Sequence, residues 1–133
     1  MSLTLEQKTR LTEFCKTPLL AVLATVYRRG APQAVPVWYE FDGESFIVTS
    51  SKERVKVKNV LRDNRVSLCI IDTSHQGRGF NIRGTAQVVE EGAQEATRRL
   101  AIRYLGEERG RESSAGMAAQ ERVIIRITPE ELV

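Results

Sequence analysis

Two hydrophobic periods alternate along this 133-residue chain, and where each holds sway it predicts an element. Over residues 4–16, Leu5, Leu11 and Cys15 fall near helical spacing, and Thr4 with Gln7 three residues on forms a capping-box pattern, so a short first helix is expected to end at Pro18. Leu19 to Tyr27 is nearly continuous apolar sequence, short and rich in small and β-branched residues, which predicts a buried strand. Arg29-Gly30 turns the chain into a second strand over 33–41, where Val35, Val37 and Tyr39 alternate with Ala34, Pro36 and Trp38. Asp42-Gly43 is a strong hairpin signal, and 45–50 returns as a third strand. Joined by tight turns, these three strands are expected to form an antiparallel meander.

Residues 51–62 carry both periods. Helix is favoured because Ser50 and Glu53 make a second capping-box pattern and Asp63-Asn64 supplies a stop before a strand over 65–71. Residues 72–79 read as a loop, and 80–89 as a fifth strand in which Gly84 marks a bulge or a close approach. Ala93, Ala96, Leu100 and Tyr104 share one face of a helix over 92–105. The polar, glycine-bearing stretch 106–120 is expected to be a mobile connection, and 122–128 a sixth strand closed by Pro129. Six short strands with tight turns suggest a small antiparallel barrel, which removes exposed edges by closure. No repeat or linker divides the chain, so residues 1–133 are read as one domain.

Composition narrows the class. Hydrophobic residues at 41% and charged residues at 28% exclude a disordered chain. The longest apolar stretch, Pro18–Val26, is about half of the ~20 residues a membrane-spanning helix needs, so a cytoplasmic protein without a membrane partner is expected. Cys15 and Cys69 lie far apart without a C-x-x-C pair and beside a single histidine, so neither zinc nor any other metal site is expected and both thiols are read as buried. A net charge of +3 is too small to demand nucleic acid. Arg78-Gly79-Phe80 opens like an RNA-recognition signature, but Asn81, Ile82 and Arg83 depart from it.

The chemistry concentrates in Thr49 to Asn59. Lys52, Arg54, Lys56 and Lys58 crowd the start of a helix whose positive end disfavours cations, next to the hydroxyls of Thr49, Ser50 and Ser51. A solvated charged face is one explanation. An anion is the other, because free backbone N–H groups, hydroxyls and cations are the parts of a phosphate site. No P-loop, nucleophile–base arrangement or carboxylate pair accompanies them, and His75 in a polar loop reads as solvated. No catalytic residue is assigned: an enzyme of this composition would need a cofactor to bring the chemistry.

Several motifs in order carry a resemblance: Pro18 to Thr25, Gly30-Ala-Pro-Gln33, Trp38 to Asp42, Arg54-Val-Lys56-Val-Lys-Asn59 with Leu61 to Ser67, and Gly84 to Val88. Together they resemble the pyridoxamine 5'-phosphate oxidase-like split-barrel flavoproteins over essentially the whole chain, and the Arg54–Ser67 pattern is similar to the branch that uses the 5-deazaflavin coenzyme F-420. The resemblance implies an α+β fold, mainly β, with a six-stranded antiparallel split β-barrel of Greek-key type and short flanking helices. It also implies a homodimer with the cofactor between subunits and a small-molecule substrate. In it Arg54 and Lys56 would hold the cofactor phosphate with Thr49, Ser50 and Asn59, while Gln33 and the strand Val35, Pro36, Val37 and Trp38 would lie along the ring. Arg78 and Phe80 of the partner copy would close the cleft, although relatives often carry aromatic residues near the position of Arg78. Two cofactors fit these residues, F-420 passing a hydride to an unsaturated or conjugated molecule, or FMN. A non-catalytic binder of a flavin, deazaflavin or haem-derived ligand is a further reading.

Overall fold

The computed structural model describes residues 2–74 and 78–133; His75 lies outside them. Helix α1 (Leu5–Phe14) begins at the expected capping box, with the Thr4 hydroxyl accepting from the Gln7 N–H and the Gln7 side chain accepting from the Thr4 N–H. Strands β1 (Ala21–Val26), β2 (Pro32–Val37), β3 (Glu40–Phe41) and β4 (Phe46–Ser51) follow. Then come α2 (Val55–Arg62), β5 (Arg65–Asp72), β6 (Arg78–Val89), α3 (Ala93–Leu105), α4 (Glu107–Gly116) and β7 (Arg122–Leu132).

All strand pairs are antiparallel, in the order β2-β1-β5-β6-β7-β4-β3. The expected meander is corrected in one respect. Both of its hairpins form, β1 with β2 and β3 with β4, but the middle strand breaks at Trp38 and Tyr39 and its halves lie at opposite edges of the sheet. Val37 and Glu40 are three residues apart and can be separated by at most about 10 Å, so the sheet curls until its two edges nearly meet. Six strands expected from the sequence become seven through this break, and the curled antiparallel sheet with flanking helices is a split barrel of the α+β class.

The strands alternate faces. Ala21, Leu23 and Thr25 of β1, Phe46, Val48 and Ser50 of β4, and Leu68 and Ile70 of β5 are buried inside with Tyr39, Ile82, Ile125 and Ile127. Ile47 and Ile124 face outward and are buried under Ala93 and Ala96 of α3, which is why β4 opens with the unbroken apolar run Phe46, Ile47 and Val48. No helix among the described residues is long and apolar enough to cross a membrane.

Five further expectations change. The second capping box does not form: Ser50 and Ser51 finish β4, and α2 starts four residues later with Arg54 as an N-cap that makes no side-chain cap. The fifth predicted strand starts earlier, at Arg78, and the sixth runs through Pro129 to Leu132. Pro129 is tolerated because it faces Gly84 at a register shift, where a Cβ on Gly84 would lie 2.2 Å from the Thr128 carbonyl oxygen. Cys15 is buried but Cys69 is exposed, since it faces outward on β5. Finally, much of the stretch expected to be mobile is helix α4, which lies so close to α3 that a Cβ on Gly110 would sit 2.5 Å from the Ile102 backbone.

Candidate functional site

The break between β2 and β3 opens a cleft of about 360 Å³, within the roughly 300–1,000 Å³ typical of small-molecule sites. Its walls are Pro36, Val37 and Trp38 from the break, Leu20, Thr49 of β4, Lys56 of α2, Thr97 and Leu100 of α3, Met117 after α4 and Arg122 of β7. Thr49 reaches it because β4 alternates, so its neighbour Ser50 turns into the barrel and donates its hydroxyl to the Ser51 carbonyl at 2.9 Å.

Part of the cleft wall is cationic. Burial pushes the Lys56 ammonium below the ordinary lysine value, and Arg54 and Arg122 push it the same way. Arg122 is likewise lowered, by burial and then by Arg54. No carboxylate ion-pairs with any of the three among the described residues. Arg122 is held by hydroxyls and an amide instead: its Nη2 donates to Thr49 Oγ1 at 3.2 Å, its Nε to Thr97 Oγ1 at 3.2 Å and its Nη1 to Gln120 Oε1 at 3.0 Å. The remaining walls are largely apolar, with Leu20, Leu100, Met117 and the Trp38 indole among them.

The basic run is thereby sorted. Lys52 pairs with Glu90 at 2.5 Å, and Lys58 is exposed. Arg62 bonds the Val26 carbonyl and Asn59 Oδ1, so it fastens α2 to β1. Asn59 is 2% exposed and its amide donates to Thr25 Oγ1 at 3.0 Å and to Gln33 Oε1 at 3.4 Å. Gln33 and Asn59, expected along the ring and at the phosphate, therefore satisfy each other in a buried network away from the cleft walls. Val35 packs against the core. Of the residues expected from the sequence, Pro36, Val37, Trp38, Thr49 and Lys56 come together, with Arg54 close enough to act on the charges there.

Arg78 and Phe80 line a separate cleft of about 660 Å³ with Arg10, Glu13, Phe14, Asp72 and Gly79. There the Phe14 and Phe80 rings meet edge to face at 4.7 Å and the Arg10 guanidinium stands 5.7 Å from the Phe80 centroid. Within one chain the two clefts share no wall residue. Arg122 and Thr97, with the apolar walls Leu20, Leu100 and Met117, are the site residues the sequence reading lacked. Only the pairing of β4 with β7, which sets Arg122 opposite Ser51, brings a residue more than 60 positions from Lys56 beside it.

Neither the thiol nor the phenol behind the break offers a base. Burial raises Cys15 to about 11, and burial, then the Cys15 thiol beside it, raises Tyr39. No group of His, Cys, Asp or Glu among the described residues could hold a metal ion.

Residues 8–133 match the pyridoxamine 5'-phosphate oxidase family. The chain belongs to that family. Its split barrel is shared by an F420 reductase, 28% identical with a TM-score of 0.77 over 91% of this chain and 94% of the other. A conserved hypothetical protein of Mycobacterium tuberculosis is also 28% identical, with a TM-score of 0.75 over 93% and 81% of the two chains. A Listeria innocua protein bearing the pyridoxamine 5'-phosphate oxidase name is 21% identical, with a TM-score of 0.71 over 96% of each, a likeness that shows the fold alone. Among curated proteins none matches the chain. For this family member the donor set fits a phosphate-bearing cofactor: two cations and two threonines line a cleft whose other walls are largely apolar, with a third cation acting on them and no acid paired with any of the three among the described residues.

Proposed function

We propose that this family member is a cytoplasmic oxidoreductase that binds F-420, and passes a hydride from it to a small unsaturated or conjugated molecule. The observation that carries the reading is the uncompensated cluster of Arg54, Lys56 and Arg122 at a cleft whose other walls are largely apolar. The likeness to an F420 reductase at 28% identity favours the deazaflavin over FMN, which the same cations would also hold. When bound, the cofactor supplies the hydride chemistry. The chain's part is to anchor the phosphate on Lys56, Arg54 and Arg122, to orient the ring against Pro36, Val37 and Trp38, and to keep water from it with Leu20 and Leu100.

The test is a pair of titrations, F-420 and FMN, into protein prepared from a host that lacks F-420, each repeated across pH. F-420 should bind more tightly. Binding should weaken as pH rises into the alkaline range, and the sign follows from Lys56. Free protein loses that proton below the ordinary lysine value because the ammonium is half-buried beside two arginines. A bound phosphate restores the charged form, so in that window binding takes up a proton and the dissociation constant climbs with pH. Lys56→Arg should bind with a flat profile. A wild-type profile equally flat would remove Lys56 from the site.

The same reading includes a second copy. Leu20, Val22 and Ala24 lie beside Ala34 and Pro36 on one side and Cys69 and Ile71 on the other, an uncharged outer face that is exposed or half-exposed. Leu20 and Pro36 belong both to this face and to the cleft, so a partner seated there would complete the cleft walls. Light scattering should give twice the 15.0 kDa chain mass, and replacing Ala24 by Glu should return the mass to that of one chain.

A further inference from the structure

We infer that Tyr104 is a positioning residue that holds Trp38 as a fixed wall of the cleft, and thereby sets which ring the cleft accepts. For its ligand this inference rests on the function proposed above; the wall itself does not. Where the strand breaks between Val37 and Glu40, the backbone loses its ladder partners, and the last turn of α3 replaces them. The Tyr39 N–H donates to Tyr104 Oη at 3.2 Å, and the Tyr104 hydroxyl donates to the Leu19 carbonyl at 2.8 Å. Arg103 Nε donates to the Tyr39 carbonyl at 3.0 Å, while its Nη2 donates to the Cys15 carbonyl at 2.7 Å.

Tyr104 is thus fixed at its hydroxyl, and its ring is fixed as well. The Trp38 indole stacks on it with centroids 5.0 Å apart and planes 16° from parallel, and the Arg103 guanidinium stands 5.6 Å from its centroid. Trp38 lines the cleft and Tyr104 does not. A tryptophan on a flexible corner could swing and admit ligands of many widths. Stacked on a clamped tyrosine it keeps a constant distance from Lys56 and Arg122, so the cleft tests the ring and the phosphate at one spacing. The cations recognise the phosphate alone; the stacked pair adds the demand for a planar ring.

Trp38 is the single tryptophan of the chain, so its emission reports the wall directly. In ligand-free protein, Tyr104→Leu should shift emission to the red and increase acrylamide quenching about twofold or more, and Tyr104→Phe, which keeps the stacked ring but loses the hydroxyl bonds to Tyr39 and Leu19, should move both in the same direction by less. Affinity for FMN and F-420 should fall about 3- to 10-fold in Tyr104→Leu, while competition by inorganic phosphate stays at the wild-type level. A residue that only stabilises the fold would lower the melting temperature and leave the ratio of ring-ligand to phosphate affinity unmoved. Wild-type quenching in Tyr104→Leu, or an unchanged ratio, overturns the inference. Should Tyr104→Leu fail to fold, Trp38→Leu keeps the tyrosine and its hydrogen bonds. It must then lose ring-ligand affinity and keep phosphate, and unchanged ring affinity overturns the inference equally. If wild-type protein takes up phosphate but neither FMN nor F-420, the proposed function fails and the quenching result alone judges the wall.

Discussion

Replacing Arg122 by alanine is expected to weaken binding of a phosphate-bearing cofactor by about 10- to 100-fold, because a charge-assisted hydrogen bond contributes ~1.5–3 kcal/mol and each 1.4 kcal/mol is a factor of ten. Arg122 is half-buried, faces Lys56 and Arg54 with no acid between them, and is aimed by the hydroxyls of Thr49 and Thr97. The ligand-free fold should lose little. Its loss of three neutral hydrogen-bond partners is opposed by relief of the repulsion that pushes Lys56 down. Arg126, four residues on along β7, has the same charge but stands 4.0 Å from the Asp42 carboxylate and lines no part of the cleft, so Arg126→Ala is the control. Isothermal titration of the cofactor into both variants decides it. Equal losses would make the attraction a diffuse field rather than a site, and no loss in Arg122→Ala would put the phosphate elsewhere.

The second large effect is on stability. Gly110→Ala should destabilise the protein by about 1–3 kcal/mol even though alanine favours helix by roughly 1 kcal/mol, since the added Cβ would meet the Ile102 N and Cα at 2.5 Å. Those are backbone atoms that no rotamer change can move aside. The two helices must separate, and with them Thr97 and Leu100 on α3 and Met117 after α4, so cofactor affinity should fall as well. Gly116, at the end of the same helix, has nothing within 4 Å of an added Cβ, and Gly116→Ala should be neutral or stabilise by up to about 1 kcal/mol. Urea unfolding of the pair is the measurement. Similar midpoints for both variants would mean that the α3–α4 contact yields more easily than its geometry implies.

These two residues mark where sequence reasoning stopped. Gly110 reads as a helix breaker in the run Glu-Glu-Arg-Gly-Arg-Glu-Ser-Ser, which is polar on every side and shows no apolar stripe. Its helix forms because glycine lets two backbones touch, a contact that leaves no periodic trace. Glu107 and Glu108 at the positive end and the Glu107–Arg111 pair then add support of a kind found in many loops too. Arg122 reads as one more surface cation at the start of a strand. It becomes part of a site through the β4–β7 pairing, a contact across more than 70 residues that alternation predicts for neither strand.

What the sequence determined by itself was local. The Thr4–Gln7 box, the buried strand after Pro18, the turn at Asp42-Gly43, the tight spot at Gly84 and the apolar face of α3 each follow from residues within one or two turns of each other, where backbone sterics and side-chain period act directly. The excess of cations near the start of α2 was legible for the same reason. Tertiary structure decided which of those cations are free. Glu90, 38 residues away, neutralises Lys52, and Val26, 36 residues away, engages Arg62, leaving Lys56 and Arg54 to meet Arg122. It also split the second strand at Trp38 and Tyr39, where closing the curled sheet in so few residues outweighs an unbroken alternation, and so made the cleft.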